Sequence, residues 1–190
     1  LSVPLTVSFI ITAERCILLL SGAAYLPSVL PFRIIMPTVC LIGASNVFGI
    51  QMLVPLGGEK YVLYSEITGA LVDIVLNSIL IPAYGAVGAA FGTLIAEIAV
   101  LIIQICVLKR YAMQAIKKLQ MLKIILATLA ASIVLTYLYL NLAVSPILNL
   151  IVSFTAFFII YFLILLFMKE RLVSEISNYI FGKIRKRSLN

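Results

Sequence analysis

Residues 147–168 read ILNLIVSFTAFFIIYFLILLFM, twenty-two positions without a charged side chain. A helix needs about 20 consecutive apolar residues to cross the hydrocarbon core of a bilayer. Breaks at proline, glycine and charge clusters predict this span at 146–168 and five more at 1–21, 31–56, 61–82, 86–108 and 121–141. The runs do not alternate over short segments, which favours helices over a membrane β-barrel. The sequence therefore predicts an all-α integral membrane protein, with six spans over 1–168 and a kink near Pro37.

The composition agrees with a membrane protein and excludes several chemistries. The chain has 190 residues, of which 64% are hydrophobic and 11% charged, whereas soluble domains are about 45–50% apolar and about 25% charged. It contains no histidine, which excludes Ser-His and Cys-His catalytic pairs and histidine-ligated zinc. Cys16, Cys40 and Cys106 lie in apolar runs without CxxC spacing and are interpreted as small hydrophobic residues. We predict no metal or cofactor.

Charge placement predicts the orientation. Basic residues cluster at 109–123, between spans four and five, and at 169–187, after the last span, and Lys60 lies between spans two and three. By the positive-inside rule these segments are cytoplasmic, so both ends of the chain are expected in the cytoplasm. The net charge of +7 is then a topology signal, and no nucleic-acid partner is predicted. The tail, 169–190, is predicted to be a basic amphipathic helix on anionic lipid, with a solvated terminus as the alternative.

Six charged residues remain within the predicted spans. An ionised side chain at the bilayer centre costs roughly 2.5–3.5 kcal/mol, so such residues face a bundle interior, pair with one another or line a polar cavity. They are Glu14, Arg15, Arg33, Glu66, Asp73 and Glu97. Asp73 and Glu97 lie nearest the middle of their spans, and Glu66 lies closer to the edge. The alternative is a static set of interhelical hydrogen bonds that only holds the fold.

The two arginines have different expected roles. Arg15 lies within the first span, where a guanidinium could bind a phosphate through two parallel hydrogen bonds or pair with an intramembrane acid. Arg33 lies at the start of the second span, where its side chain could equally extend to the lipid headgroups.

Residues 77–93, NSILIPAYGAVGAAFGT, contain the densest motif. Pro82 is expected to end a helix, Tyr84 to lie at a membrane interface, and Gly85 to permit a sharp turn. Gly88 and Gly92 continue with Ala96 as a stripe of small residues at every fourth position, which lets another helix approach closely. The motif predicts a packing hairpin. It lacks the Gly-Lys-Ser/Thr of a phosphate-binding loop.

This hairpin resembles one in the C-terminal half of bacterial polysaccharide-biosynthesis flippases, the Wzx-type exporters of O-antigen and capsule. They belong to the multidrug/oligosaccharidyl-lipid/polysaccharide exporter superfamily. The segments at Pro4-Leu5, at 21–25 (SGAAY) and at 55–60 (PLGGEK) are similar as well. The resemblance implies that the six spans form the C-terminal lobe of a MATE-like, two-lobe transporter. The chain begins at Leu1 rather than methionine, so we interpret it as part of a longer protein with an N-terminal lobe.

The resemblance also implies a function without covalent chemistry, so the protein is not expected to be an enzyme. Such proteins move undecaprenyl-pyrophosphate-linked oligosaccharides, the repeat units of O-antigen, capsule or exopolysaccharide, across the bacterial cytoplasmic membrane by alternating access. The implied partners are this lipid-linked oligosaccharide, membrane lipids, the N-terminal lobe, and polysaccharide polymerase or assembly proteins. A multidrug or cation-coupled exporter and a lipid II flippase are close alternatives. A non-transporting anchor and an integral-membrane glycosyltransferase are more distant ones.

On this interpretation the polar residues within the spans divide into three roles. Arg15 and Arg33 would bind the pyrophosphate. Asp73, Glu97 and Glu66 would titrate or bind a coupling cation. The sugar hydroxyls would bind to the amide side chains of Asn46, Gln51, Asn77 and Gln104, each of which could instead hold two helices together.

Overall fold

Six helical regions in the computed structural model are long and apolar enough to cross a membrane. The structure describes residues 1–118, 120–142 and 144–168, and over these residues all regular structure is helical, without a strand. The prediction of a multi-pass, all-helical membrane protein is therefore confirmed at this level. The amphipathic helix predicted for the tail, 169–190, lies outside the described residues.

The helices divide into two compact units, Leu1–Leu119 and Gln120–Asn190. Each unit contains its own packed helices, and the longer one holds every charged residue predicted within a span. That all six spans form one lobe stays a prediction.

The first unit begins with α1, Ser2–Ser21, which ends at Gly22 with a φ of 85°. The second predicted span is a chain of short helical pieces that starts earlier than expected. They are a 3₁₀ turn at Ala23–Ser28, α2 at Val29–Ile35, α3 at Thr38–Ser45, a π-helical segment at Asn46–Leu53 and a 3₁₀ turn at Val54–Leu56. The predicted kink near Pro37 is confirmed, because the helix is interrupted between α2 and α3. The π-helical segment, called the π segment below, was not predicted.

The next two spans are long helices joined by a single glycine. Helix α4 is Glu59–Tyr84 and α5 is Ala86–Leu108, followed by a short helix α6, Arg110–Lys118. The bounds of α5 agree with the prediction, and α4 is two residues longer at each end. The prediction that Pro82 ends a helix is wrong. Proline removes its own N–H donor and crowds the carbonyl four residues back, yet α4 continues past Pro82 to Tyr84, and the Gly85 N–H closes the last turn on the Ile81 carbonyl at 2.8 Å.

Helix α5 is the central element of the first unit. It packs against α2, α3, the π segment and α4. Its inner face is lined by small or polar residues such as Gly92, Ala96 and Gln104, all of which are buried. By contrast α4 keeps large apolar side chains such as Ile74 and Ile79 exposed on its outer face, as a surface facing lipid or another membrane helix does. Glu66, Glu97 and Gln104 collect between α4, α5 and the second span.

The second unit is a hairpin of α7, Met121–Asn141, and α8, Pro146–Phe167. The buried Asn149 amide donates to the carbonyls of Leu142 and Leu138, at 2.9 and 3.4 Å. Leu138 lies in the last turn of α7 and Leu142 follows the helix, so the amide adds a second donor to each carbonyl, beside the N–H groups of Leu142 and Val144. At the opposite end the Lys123 ammonium donates to the Met168 carbonyl at 2.8 Å. This hairpin is thus held at both ends by side chains that satisfy helix carbonyls.

Candidate functional site

The hairpin of α4 and α5 brings the intramembrane acids together. Gly85 makes the reversal with a φ of 55°, a conformation that residues with a Cβ rarely adopt. A Cβ at Gly88 would collide with the Leu80 carbonyl, and one at Gly92 with the Asn77 side chain. The small-residue stripe therefore lets α4 and α5 touch, as predicted, and the approaching helix is the other arm of the same hairpin.

Close packing fixes the register in which the polar residues meet. The Thr93 hydroxyl donates to the Asp73 carboxylate at 3.2 Å, from α5 to α4. One cavity of about 230 Å³ opens beside this bond, called the acidic cavity below. Its lining includes Glu66, Gly69, Ala70, Asp73, Thr93 and Glu97. All three acids that were predicted to titrate or bind a cation thus face one space.

A second cavity, of about 210 Å³, adjoins the first and is called the amide cavity below. Glu66 and Glu97 line both cavities, so the two spaces share a wall. The remaining polar lining comes from the second span and α5, namely Ser45, Asn46 and Gln104. A polar cleft therefore runs from the α4–α5 hairpin to the start of the π segment.

The three carboxylates differ in exposure and in bonding. Glu66 is exposed, whereas Asp73 and Glu97 are half-buried. Asp73 accepts the Thr93 hydroxyl, while Glu66 and Glu97 have no hydrogen-bond or ion-pair partner within the described ranges. Glu97 lines the same cavity as the other two acids, so negative charges on the three would repel one another. Over the same described residues no three His, Cys, Asp or Glu side chains are grouped tightly enough to hold a metal ion.

Gln104 has a structural contact that limits its predicted role. Its side chain is 1% exposed. The oxygen accepts the Ser45 hydroxyl at 3.0 Å, and the nitrogen donates to the Ser65 hydroxyl at 3.2 Å. The amide thus joins α3, α4 and α5. In this arrangement it has little hydrogen-bonding capacity left for a sugar hydroxyl. Both serines were missed from the sequence because they lie 59 and 39 residues from Gln104.

The other predicted amides are dispersed. Asn46 is exposed at the amide cavity and donates to the Ile42 carbonyl at 3.1 Å. Gln51 is exposed and lies outside the described lining of both cavities. The Asn77 side-chain oxygen is buried against Gly92 without a hydrogen-bond partner within the described residues. Of these amides, only Asn46 and Gln104 lie at the cleft.

The two arginines do not line the described walls of either cavity. Arg15 is half-buried on α1. Arg33 is exposed, and its Nε donates to the Ile10 carbonyl at 3.2 Å, so it bridges α2 to α1. The predicted pyrophosphate residues are therefore on a different pair of helices from the predicted ion-coupling acids.

The remaining residues of the 77–93 motif, Pro82 and Tyr84, lie at the end of α4. Pro82 and Tyr84 are exposed in the last turn of α4, and Tyr84 is 66% exposed at the end of the helix.

Comparison of the chain with protein-family models, with curated proteins and with solved structures finds no match.

Proposed function

We propose that this chain is one lobe of an alternating-access exporter that moves an undecaprenyl-pyrophosphate-linked oligosaccharide across the bacterial cytoplasmic membrane. In this proposal both ends of the chain are cytoplasmic, and an N-terminal lobe of the same protein completes the transport pathway. No covalent step is involved. The repeat unit would pass to a polysaccharide polymerase or another assembly protein on the far side.

The polar cleft is the observation that carries the proposal. Acidic residues within membrane helices are energetically unfavourable, and a protein that served only as a membrane anchor would gain nothing from them. Here three of them face adjoining cavities of about 230 and 210 Å³, and Glu66 and Glu97 are not tied into hydrogen bonds or ion pairs within the described residues. A half-buried carboxylate without such a partner, as at Glu97, favours a hydrated site that can change over a static contact.

These acids give a means of coupling. While Glu66, Asp73 and Glu97 are charged, their repulsion favours a hydrated, open cleft. Protonation, or neutralisation by a cation, removes that repulsion and favours closure. Because the ligand would then bind one state better than the other, it would shift the equilibrium between them.

The pyrophosphate requires a positive charge elsewhere in the pathway. Arg15 is the best candidate in this chain, because it is half-buried on a spanning helix and a guanidinium suits bidentate phosphate binding. Arg33 is a weaker candidate because its side chain is exposed near the start of the second span, where it can extend to the lipid headgroups. Asn46, exposed at the amide cavity, is the best-placed amide for a sugar hydroxyl.

One observation favours a second candidate function, a multidrug or cation-coupled exporter of the same architecture. The charged residues in the described lining of the two cavities are all acids. A cleft of this kind attracts organic cations more readily than a pyrophosphate. The two functions therefore predict opposite results for drug resistance and for surface polysaccharide.

The test is complementation of a deletion strain. We expect loss of the gene to abolish surface polysaccharide, and the wild-type gene to restore it. Arg15→Ala should lower export by about tenfold or more, the loss that one charge-assisted hydrogen-bonding group produces. Arg15→Lys should retain part of the activity because it keeps the charge without the bidentate geometry.

Lys60→Ala, in the first turn of α4 and outside the described lining of both cavities, is the control and should export at the parental rate. Normal polysaccharide in the deletion strain, together with new sensitivity to cationic drugs, would reject the flippase and support the second candidate. If Arg15→Ala exports like Lys60→Ala, Arg15 does not bind the substrate.

A further inference from the structure

The π segment, Asn46–Leu53, interrupts the second span beside the amide cavity. Its end shows the bonding pattern, because the Val54 N–H donates to the Gly49 carbonyl, five residues back. Helices of this type are rare and occur mostly as single-turn bulges, often at functional sites. A stretch of eight residues therefore needs contacts that hold it in this form.

One such contact is a buried apolar cluster. Phe48 and Leu53 are 6% and 3% exposed and pack with Leu108 and Ala112. Five residues apart on an α-helix, the two side chains would point roughly 140° away from each other. Hydrogen bonds between residues five apart bring them onto one side instead. Conversion to an α-helix would withdraw one of these side chains from the cluster.

The second contact is the Gln104 amide, which lies directly against Gly49. A Cβ at Gly49 would lie 3.0 Å from the Gln104 nitrogen and 3.2 Å from its side-chain carbon. The Gln104 side chain fits between Ser45 and Ser65 because this position of the second span has no side chain. A change of helical register would bring a residue with a Cβ to this place and displace the amide.

We propose that the π segment is a two-state element that switches between π and α hydrogen bonding, and that the Gln104 clasp holds it in the π form. The Gln104 clasp is the Gln104 side chain with its hydrogen bonds to Ser45 and Ser65. Loss of the one extra residue in the π turn rotates the following helix by about 100°, the angle per residue of an α-helix. Gly49 and Ile50 line the amide cavity, so the rotation changes its wall. The inference does not depend on which substrate is transported.

Two cysteine pairs distinguish the two forms. Asn46, Val47 and Gln51 are all exposed, so pairs at 46/51 and 47/51 can be introduced after the three native cysteines are replaced. Residues five apart are neighbours in a π-helix but point about 140° apart on an α-helix, whereas residues four apart lie close in both forms. In the protein in its native membrane, we expect the short thiol cross-linker dibromobimane to join Asn46→Cys/Gln51→Cys at a rate similar to that of Val47→Cys/Gln51→Cys, which is the reference pair.

Weakening the clasp should lower the cross-linking rate of the 46/51 pair relative to that of the 47/51 pair. Gln104→Leu removes both side-chain hydrogen bonds, and we expect the ratio of the 46/51 rate to the 47/51 rate to fall by about tenfold, the factor for one net hydrogen bond. Gly49→Ala displaces the same amide from the other side and should act in the same direction. Thr93→Val, elsewhere on α5, is the control and should leave the ratio unchanged.

The cross-linking in the parent tests the π form, and the ratio in the variants tests the clasp. Cross-linking of the 47/51 pair in the parent without cross-linking of the 46/51 pair would show that the segment is α-helical in the membrane and would overturn the proposal. An unchanged ratio in Gln104→Leu would remove the clasp from it. If Gln104→Leu does not fold, Gly49→Ala measures the same quantity, and an unchanged ratio there has the same meaning.

Discussion

Replacing Gly88 by alanine is expected to destabilise the protein by about 3 kcal/mol, at the upper end of the cost of inserting one methyl group into a close-packed contact. The added Cβ would collide with the Leu80 backbone carbonyl, which cannot move aside as a flexible side chain can. Helices α4 and α5 must therefore separate near the Gly85 turn. The measurement is the free energy of unfolding of the purified protein in a bilayer mimic, which is obtained by denaturant titration.

Gly43→Ala is the matched control. Gly43 also lies within a helix, and its added Cβ would meet the Ser2 side chain at 3.5 Å, an ordinary contact. Both substitutions gain the same helix propensity, about 1 kcal/mol, so the difference between them isolates the hairpin contact. We expect Gly43→Ala to be neutral or slightly stabilising. Equal stabilities of the two variants would mean that α4 and α5 do not touch at Gly88.

Neutralising the acids of the cleft is expected to reduce export at least about tenfold, a change of 1.4 kcal/mol in the barrier. Asp73→Asn and Glu97→Gln keep the shape of each side chain while removing the charge that can be protonated or bind a cation. The double variant should lose more than either single one, because the two residues face one cavity. Export of surface polysaccharide, normalised to the amount of protein in the membrane, measures the effect.

Two comparison variants make this result specific. Glu59→Gln removes an acid at the exposed start of α4, outside the described lining of the cleft, and should export normally. Thr93→Val removes only the hydrogen bond to Asp73 and should have an intermediate effect. A double variant that exports at the parental rate would contradict the coupling role of the acids, even if the protein is an exporter.

The spans could be predicted because they rest on local chemistry. Apolar runs of sufficient length, bounded by charge clusters or by Gly85, gave the bounds of α5 and α7 that the structure has. The effect of Pro37 was predictable for the same reason, since a proline without its N–H interrupts a helix interior. Pro82 was misjudged because the turn after it is still closed by the Gly85 N–H on the Ile81 carbonyl, so α4 ends at Tyr84.

The π segment could not be predicted from its own residues. Its sequence, NVFGIQML, has no break or period that distinguishes it from an α-helix. The features that favour it are contacts with residues far along the chain, the cluster containing Leu108 and the side chain of Gln104. Such contacts are set by tertiary packing, which a local pattern does not contain.

The candidate site was predictable in part. Spacing along α4 and α5 placed Glu66, Asp73 and Glu97 on facing helices, and the structure brings them to one cavity. The partners of Gln104 and the bridge from Arg33 to Ile10 depend on which helices become neighbours, so they were missed. The orientation in the membrane, the N-terminal lobe and the substrate stay predictions.

The central claim is that the cleft between α4 and α5 is a water-filled part of a membrane-spanning protein. Ala70 lines the acidic cavity, whereas its neighbour Leu71 is 58% exposed and outside the described lining of both cavities. The two side chains lie at nearly the same depth and about 100° apart around the helix. The measurement is the rate at which a membrane-impermeant maleimide labels single cysteines at these two positions. The sample is membrane vesicles that are permeabilised so that the reagent reaches both faces. We predict rapid labelling of Ala70→Cys and slow labelling of Leu71→Cys; equal rates, or faster labelling at 71, would contradict the claim.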